Sequence, residues 1–164
     1  MEHKLKEGEG HQEIKDSGYE LSADGLTLLK VTNAALDGNG HFTIPGGVTC
    51  IGWDAFGGCS SLTTVHIPEG VTSIGDWAFR DCRSLTTVHI PESVTSIGYE
   101  AFAGCKSLTT VHIPNSVTSI GECAFSYCTS LTTVHIPEGV TSIEHSAFFG
   151  CENLVKITIP KGVT

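Results

Sequence analysis

Positive charge is scarce in this chain of 164 residues, which has 9 Lys and Arg side chains against 18 Asp and Glu and a formal net charge of -9. No stretch of the sequence gathers basic residues. A surface for nucleic acid or for an anionic membrane would therefore have to form against the electrostatic field of the whole molecule. We do not expect either kind of partner.

Long apolar runs are also absent. No segment approaches the roughly 18 to 20 apolar residues that are needed to cross a bilayer, so we expect no membrane insertion. The N-terminal sequence MEHKLKEGEGHQ lacks the apolar core of a signal peptide, and the sequence leaves the compartment open. Hydrophobic residues nevertheless make up 40% of the chain, which is enough for one domain with a buried core.

The prolines reveal an internal repeat. Each unit reads Leu-x-x-Val-x-Ile-Pro, then Val-Thr-x-Ile-Gly, then Ala-Phe-x-x-Cys, and the segment SLTTVHIPEGVTSI occurs identically at 61–74 and 130–143. Self-similarity at a fixed period indicates a solenoid in which each unit forms one coil. The six prolines follow one another at intervals of 23 residues: Pro45, Pro68, Pro91, Pro114, Pro137 and Pro160.

The local pattern predicts the structure of one coil. In LTTVHIP, inward Val65 and Ile67 alternate with outward Thr64 and His66, which predicts a strand that ends at the proline. The segment VTSI predicts a second, shorter extended stretch, and DWAFRDC is too short for more than one helical or 3₁₀ turn. A single coil buries too little apolar surface to fold alone, so stability must come from stacking.

The chain divides into a tail, a cap and the repeats. Residues 1–16 are rich in charge and poor in apolar side chains, and we expect a mobile acidic tail. Residues 17–164 form a single domain, in which 17–41 are the N-terminal cap, a β-hairpin around Asp24 and Gly25. Residues 42–164 hold five to six repeats without a C-terminal cap, and the open last coil is a candidate surface for an end-to-end homodimer.

The segment LTTVHIPEGVTSIGDWAFRDC resembles the BspA-type, or treponemal-type, leucine-rich repeat, and the resemblance covers residues 42–164. It implies a right-handed leucine-rich-repeat horseshoe with a parallel β-sheet on the concave face, short β or 3₁₀ segments on the convex side, and the N-terminal hairpin as a cap. It also implies an interaction protein, secreted or at a cell surface, and no enzyme. Members of the family bind unrelated partners, so the resemblance names none.

Five of the seven cysteines form a periodic set on the inward side of the turn segment. We interpret them as a structural ladder of buried thiols, because buried cysteine behaves as a small apolar residue; disulfides between rungs about 5 Å apart are the alternative. Zinc is disfavoured because each of these cysteines points into the core while the nearest histidine points outward. We expect no metal and no cofactor, and a thiol ladder is compatible with the cytoplasm. The five are Cys59, Cys82, Cys105, Cys128 and Cys151.

Two surfaces are candidates for binding a partner. The first is the outward side of the strands, which we favour because curved sheets are the surfaces that solenoids most often offer: Thr64, His66, Thr87, His89, Thr110, His112, Thr133 and His135. The second is an edge where the repeats diverge and carry residue types that dominate interfaces: Trp53, Trp77, Arg80, Arg83, Tyr99, Tyr127 and Phe149. Harmless duplication and neutral drift are the structural alternatives.

No catalytic constellation is present in the sequence, because no carboxylate is placed to orient a histidine and a flat ladder forms no pocket. We expect a noncatalytic protein-binding module, for interaction or adhesion, that recognises a host or cell-surface protein. One alternative is a structural spacer within a longer protein. A more distant alternative is a pH- or metal-responsive histidine ladder.

Overall fold

The computed structural model describes residues 17–163, and the predicted tail at 1–16 lies outside the described residues. The described part consists of thirteen short strands, one 3₁₀ helix and the turns that join them. The strands belong to two sheets that run along the solenoid.

Each repeat places its first strand in a six-stranded, all-parallel sheet. Because the repeat is regular, equivalent residues lie opposite each other: Val65 pairs with Val88, and Val88 with Val111. The strands are β3 (His41–Thr43), β5 (Thr64–His66), β7 (Thr87–His89), β9 (Thr110–His112), β11 (Thr133–His135) and β13 (Lys156–Thr158).

The second extended stretch of each repeat enters a seven-stranded sheet that also contains the hairpin. Its members are β1 (Tyr19–Leu21), β2 (Thr27–Val31), β4 (Cys50–Ile51), β6 (Ser73–Ile74), β8 (Ser96–Ile97), β10 (Ser119–Ile120) and β12 (Ser142–Ile143). Strands β1 and β2 are antiparallel, whereas β2 pairs with β4 in parallel. The cap therefore continues the sheet of the repeats by backbone hydrogen bonds, besides covering the first coil.

The hairpin turn is stabilised locally. The carboxylate of Asp24 accepts hydrogen bonds from the Ser22 hydroxyl at 2.6 Å and from the Leu26 amide at 3.0 Å. Gly25 has φ of 73°, a left-handed value that glycine adopts without steric cost. This is the turn that the Asp-Gly pair predicted.

The core is continuous along the stack. In one representative coil, Leu85, Val88, Ile90, Val94 and Ile97 are all nearly inaccessible to solvent. One phenyl ring per coil stacks on the next, with centroids 4.6, 5.0, 5.2 and 5.5 Å apart and planes within 13° of parallel: Phe56, Phe79, Phe102, Phe125 and Phe148. The predicted solenoid of 23-residue coils, its parallel sheet and its hairpin cap are confirmed.

The turn segments differ from the expected 3₁₀ turns. Two residues in each have left-handed backbone, for instance Trp77 with φ of 59° and Asp81 with φ of 56°. Their amides donate to the next coil, to the carbonyls of Tyr99 and Ala103 at 2.8 Å. A left-handed residue interrupts a right-handed helical turn, and the only 3₁₀ helix within residues 17–163 is Asn33–Ala35 in the cap. No helix in that range is long and apolar enough to cross a bilayer.

Candidate functional site

The first candidate surface, which we call the His–Thr face, consists of the outward-facing side chains of β5, β7, β9 and β11, of which all but the half-buried Thr64 are exposed. Because the valine between each threonine and histidine points into the core, both neighbours point outward. The pairing brings all eight predicted residues together in two columns of four, one of threonines and one of histidines.

The histidine column is ordered by ring stacking at its centre. The rings of His89 and His112 are nearly parallel, with centroids 5.7 Å apart and planes 6° apart. The register continues the column with Thr43 on β3 and with Thr158 on β13. The chain itself therefore places threonine at both ends of the histidine column.

The second candidate surface divides into two parts. One is an aromatic column, in which the ring of Trp77 lies 5.3 Å from that of Trp53 and 6.4 Å from that of Tyr99. The guanidinium of Arg80 covers Trp77 at 4.9 Å from the ring centroid, which is cation–π geometry. Arg80 also forms an ion pair with Glu100 at 3.4 Å. The hydrogen bond between Tyr99 and Glu100, with a smaller effect of desolvation, raises the pKa of Tyr99 to about 12.

The other part is a cleft of about 560 Å³, which we call the turn groove. Four of the seven predicted edge residues line it, Arg80 and Arg83 at one side and Tyr127 and Phe149 at another. The groove exists because small residues intervene: Ala103 and Gly104 occupy the positions that Arg80 and Asp81 fill one coil earlier. Trp53, Trp77 and Tyr99 do not line it. The turn groove is a cleft in a part of the coil for which the sequence predicts an edge surface and no pocket.

Lys106 and Ser126 also line the turn groove, although neither is among the seven predicted edge residues. Both depart from the other copies of the repeat, and this divergence is the sequence signal that points to them. The groove thus contains a lysine and a serine besides the aromatic and arginine side chains that the sequence predicts at this edge.

The five predicted ladder cysteines lie on successive coils as free thiols. Each Sγ donates to a backbone carbonyl of the preceding coil; Cys82 bonds to Phe56 at 3.1 Å and Cys105 to Phe79 at 3.2 Å. Burial raises the pKa of both thiols well above the ordinary value. The other three rungs make the same bond, and only Cys151, in the last described coil, is half-buried: Cys59, Cys128 and Cys151.

The repeated coil is similar to a known family of repeats. The BspA type leucine-rich repeat region matches in six copies over residues 39–110. A leucine-rich repeat protein of T. pallidum is 30% identical to this chain, with a TM-score of 0.68, and the alignment covers 90% of this chain and 81% of that one. This chain belongs to the BspA-type leucine-rich repeat family.

Longer bacterial proteins contain the same architecture. A leucine-rich cell surface protein of Faecalibacterium prausnitzii A2-165 is 37% identical, with a TM-score of 0.77 over 85% of this chain. A leucine-rich repeat protein of Eubacterium ventriosum is 27% identical, with a TM-score of 0.72 over 88% of this chain. The chain spans 36% and 40% of the lengths of these two proteins. No curated protein sequence matches it significantly.

Leucine-rich repeat proteins are generally noncatalytic protein-interaction modules. Within residues 17–163, no three side chains among His, Cys, Asp and Glu are arranged to hold a metal ion. The His–Thr face and the turn groove of this BspA-type protein both offer hydrogen-bond donors, acceptors and apolar contacts. Those are the groups with which one protein recognises another.

Proposed function

We propose that the chain is a noncatalytic protein-binding module for interaction or adhesion at a cell surface, and that it binds through the His–Thr face. The observation that carries the proposal is the uniformity of this face over four consecutive coils, where threonine and histidine repeat in register and all but the half-buried Thr64 are exposed. Nothing in the packing of the coil requires histidine there, because the side chains point away from the core.

The chemistry of the face suits a repetitive or extended protein segment. A threonine hydroxyl donates and accepts hydrogen bonds, and so does a neutral imidazole. Adjacent strands lie about 4.8 Å apart, so the face repeats the same pair of groups at that interval. A partner with polar side chains at a similar interval can make the same contact several times, and the sum of weak contacts then gives affinity.

The proposed location rests on similarity. The F. prausnitzii relative is described as a cell surface protein, and it is 37% identical to this chain. That protein is much longer than this chain, so we propose that the solenoid is one part of a surface protein that meets a host or neighbouring cell. A structural spacer is the competing function, and it would need no specific partner.

Panning separates a binding module from a spacer. A yeast-displayed library of extracellular protein domains is passed over the immobilised folded chain and, in parallel, over the same chain after thermal unfolding. A binding module enriches domains that bind the folded chain saturably and do not bind the unfolded one. Recovery of only those clones that bind both forms equally would support the spacer instead.

A further inference from the structure

The turn groove collects the scarce positive charge of the repeats. Arg80, Arg83 and Lys106 are the only Lys or Arg side chains between residues 31 and 155, and all three line this one cleft. Arg83 and Lys106 occupy equivalent positions on adjacent coils, each directly after a ladder cysteine, so their backbones lie about 4.8 Å apart. In a chain of net charge -9, such a convergence marks a place that attracts an acidic group.

The groove is lined by as many acidic as basic side chains, and this restricts how much negative charge a ligand can have. Asp81, Glu100 and Glu152 line it together with the three cations. Asp81 accepts from Arg83 at 3.3 Å, and Glu100 pairs with Arg80 at 3.4 Å. A single carboxylate can be accommodated in this setting, whereas a polyanion would meet three acids.

Lys106 differs from the other two cations of the groove in its ion pairing. Its side chain is exposed, and within residues 17–163 its ammonium has no acidic partner at ion-pair distance. The neighbours in its column are Arg83 on one side and Thr129 on the other. A ligand carboxylate beside Lys106 would also lie within reach of Arg83, whose side chain is mostly exposed.

Ser126 adds a hydroxyl that is available for a hydrogen bond at the wall of the groove. It is the only buried polar residue of the described chain, at 4% exposure, and it lines the groove. Its hydroxyl makes no hydrogen bond with any of residues 17–163 and keeps contact with solvent at the groove, because the one fully buried side-chain nitrogen or oxygen without a partner in that range is Trp77 Nε1. Ala103 occupies the equivalent position one coil earlier, so the coil does not need the hydroxyl for packing.

The remaining wall of the groove is apolar and exposed. Tyr127 and Phe149 are 53% and 58% accessible, and their rings meet edge to face at 5.5 Å. Tyr127 has left-handed backbone with φ of 56°, at a position where neighbouring coils carry Gly104 and Gly150. A large aromatic side chain is therefore held at a position that glycine suits better.

We propose that the turn groove binds a linear segment of a partner protein in which an acidic residue lies next to an apolar one. The carboxylate binds Lys106 and Arg83, a backbone group of the segment bonds to the Ser126 hydroxyl, and the apolar side chain packs on Tyr127 and Phe149. The inference shares with the proposed function only the premise that the ligand is a protein. The turn groove is a second surface, which is formed by the turn segments and not by the strands that carry the His–Thr face.

A peptide selection tests this inference without a known partner. The full chain is used to select from a phage-displayed library of short linear peptides, and the best peptide is titrated with a fluorescein label by fluorescence polarisation. We expect enriched peptides to pair Asp or Glu with Phe, Tyr, Leu or Ile. Lys106→Glu should weaken binding about tenfold or more, which is the loss of one charge-assisted hydrogen bond. Lys161→Glu, the same charge change at an exposed residue outside the groove, should not.

Ser126→Ala separates a ligand contact from a structural role. Because the hydroxyl has no partner in the free chain, its removal should leave the melting temperature unchanged or higher while the peptide binds several-fold more weakly. Phe149→Ala should likewise weaken binding without unfolding the chain.

Three results would overturn the inference: selection without an acidic–apolar motif, equal loss for Lys106→Glu and Lys161→Glu, or peptides that lose affinity only when His89 and His112 are replaced. The last result would support binding through the His–Thr face and would exclude the turn groove as the peptide site. If the domain panning fails while the peptide selection succeeds, the turn groove stands as a binding site and binding through the His–Thr face is not supported.

Discussion

At the scale of single residues, the ladder cysteines connect the coils through a shared acceptor. The carbonyl of Phe79 accepts the amide of Cys82 at 3.2 Å and the thiol of Cys105 at 3.2 Å. The second lone pair of that buried carbonyl is thus used by the next coil. A thiol fills the space of a small apolar side chain and still donates a weak hydrogen bond, which explains why cysteine fits this position.

This geometry predicts the order in which the thiols react with iodoacetamide. Only the thiolate is a nucleophile, and burial raises the pKa of Cys82, Cys105 and Cys128, so these thiols should react last. Cys50, which lies outside the ladder and is half-buried, should be modified first. Mass spectrometry of the folded protein at increasing reaction times measures the order. Uniform, rapid modification of all seven cysteines would show that the ladder is not buried.

At the scale of elements, the strands could be predicted and the turns could not. Proline spacing and the alternation of Val65 with its neighbours locate β5 and its copies, because a strand has a side-chain period of two. The left-handed residues of the turns carry no such signal, since Trp77, Glu100 and Cys123 are unusual at positive φ.

These turn conformations are imposed by the neighbouring coil. Three amides per turn donate to it, and this gain outweighs the local steric cost. A partial signal existed one position before the ladder cysteine, where Gly58, Gly104 and Gly150 recur. The eight residues of the His–Thr face followed from the strand pattern. The turn groove depends on differences in side-chain size between adjacent coils. The consensus of the repeat does not contain these differences, so it does not predict the groove.

The left-handed turn at Ser146 allows a direct test of this steric cost. Its φ is 57°, a conformation that costs an L-residue roughly 1 to 2 kcal/mol and costs glycine nothing. We expect Ser146→Gly to be as stable as the parent or up to about 1 kcal/mol more stable, because the greater flexibility of unfolded glycine offsets part of the gain. Ser146→Val should lower the free energy of unfolding by at least about 1 kcal/mol in urea titrations. Equal stabilities for the two variants would contradict the assigned backbone.

At the scale of the whole molecule, the stack ends in an apolar flank. In the last described coil Ile157 and Ile159 are 37% and 52% exposed, whereas the equivalent residues of the preceding coil, Val134 and Ile136, are buried. Val155 adds an apolar side chain that is 87% exposed, at a position where the preceding coil has an exposed threonine. We propose that this flank pairs with a second copy of the chain, end to end, through the free edge of β13.

Light scattering after size-exclusion chromatography measures this association. The 164-residue chain should show a mass that rises toward a dimer with concentration, and Val155→Lys with Ile159→Lys should shift it to the monomer. Leu26→Lys changes an exposed apolar residue of the cap turn and should leave the mass unchanged. A monomeric parent at every concentration would rule out end-to-end pairing.

The most direct test of the central claim is the affinity of a selected domain for a variant of the His–Thr face. His89→Thr with His112→Thr keeps the threonine that the chain itself has at Thr43 and Thr158, so the fold should be retained. Isothermal titration should show a loss of about 2 kcal/mol or more in binding free energy, the magnitude of central interface residues. His145→Thr, an exposed histidine of the turn segment, should cost nothing. Unchanged affinity of the double variant for every selected domain would contradict binding through this face.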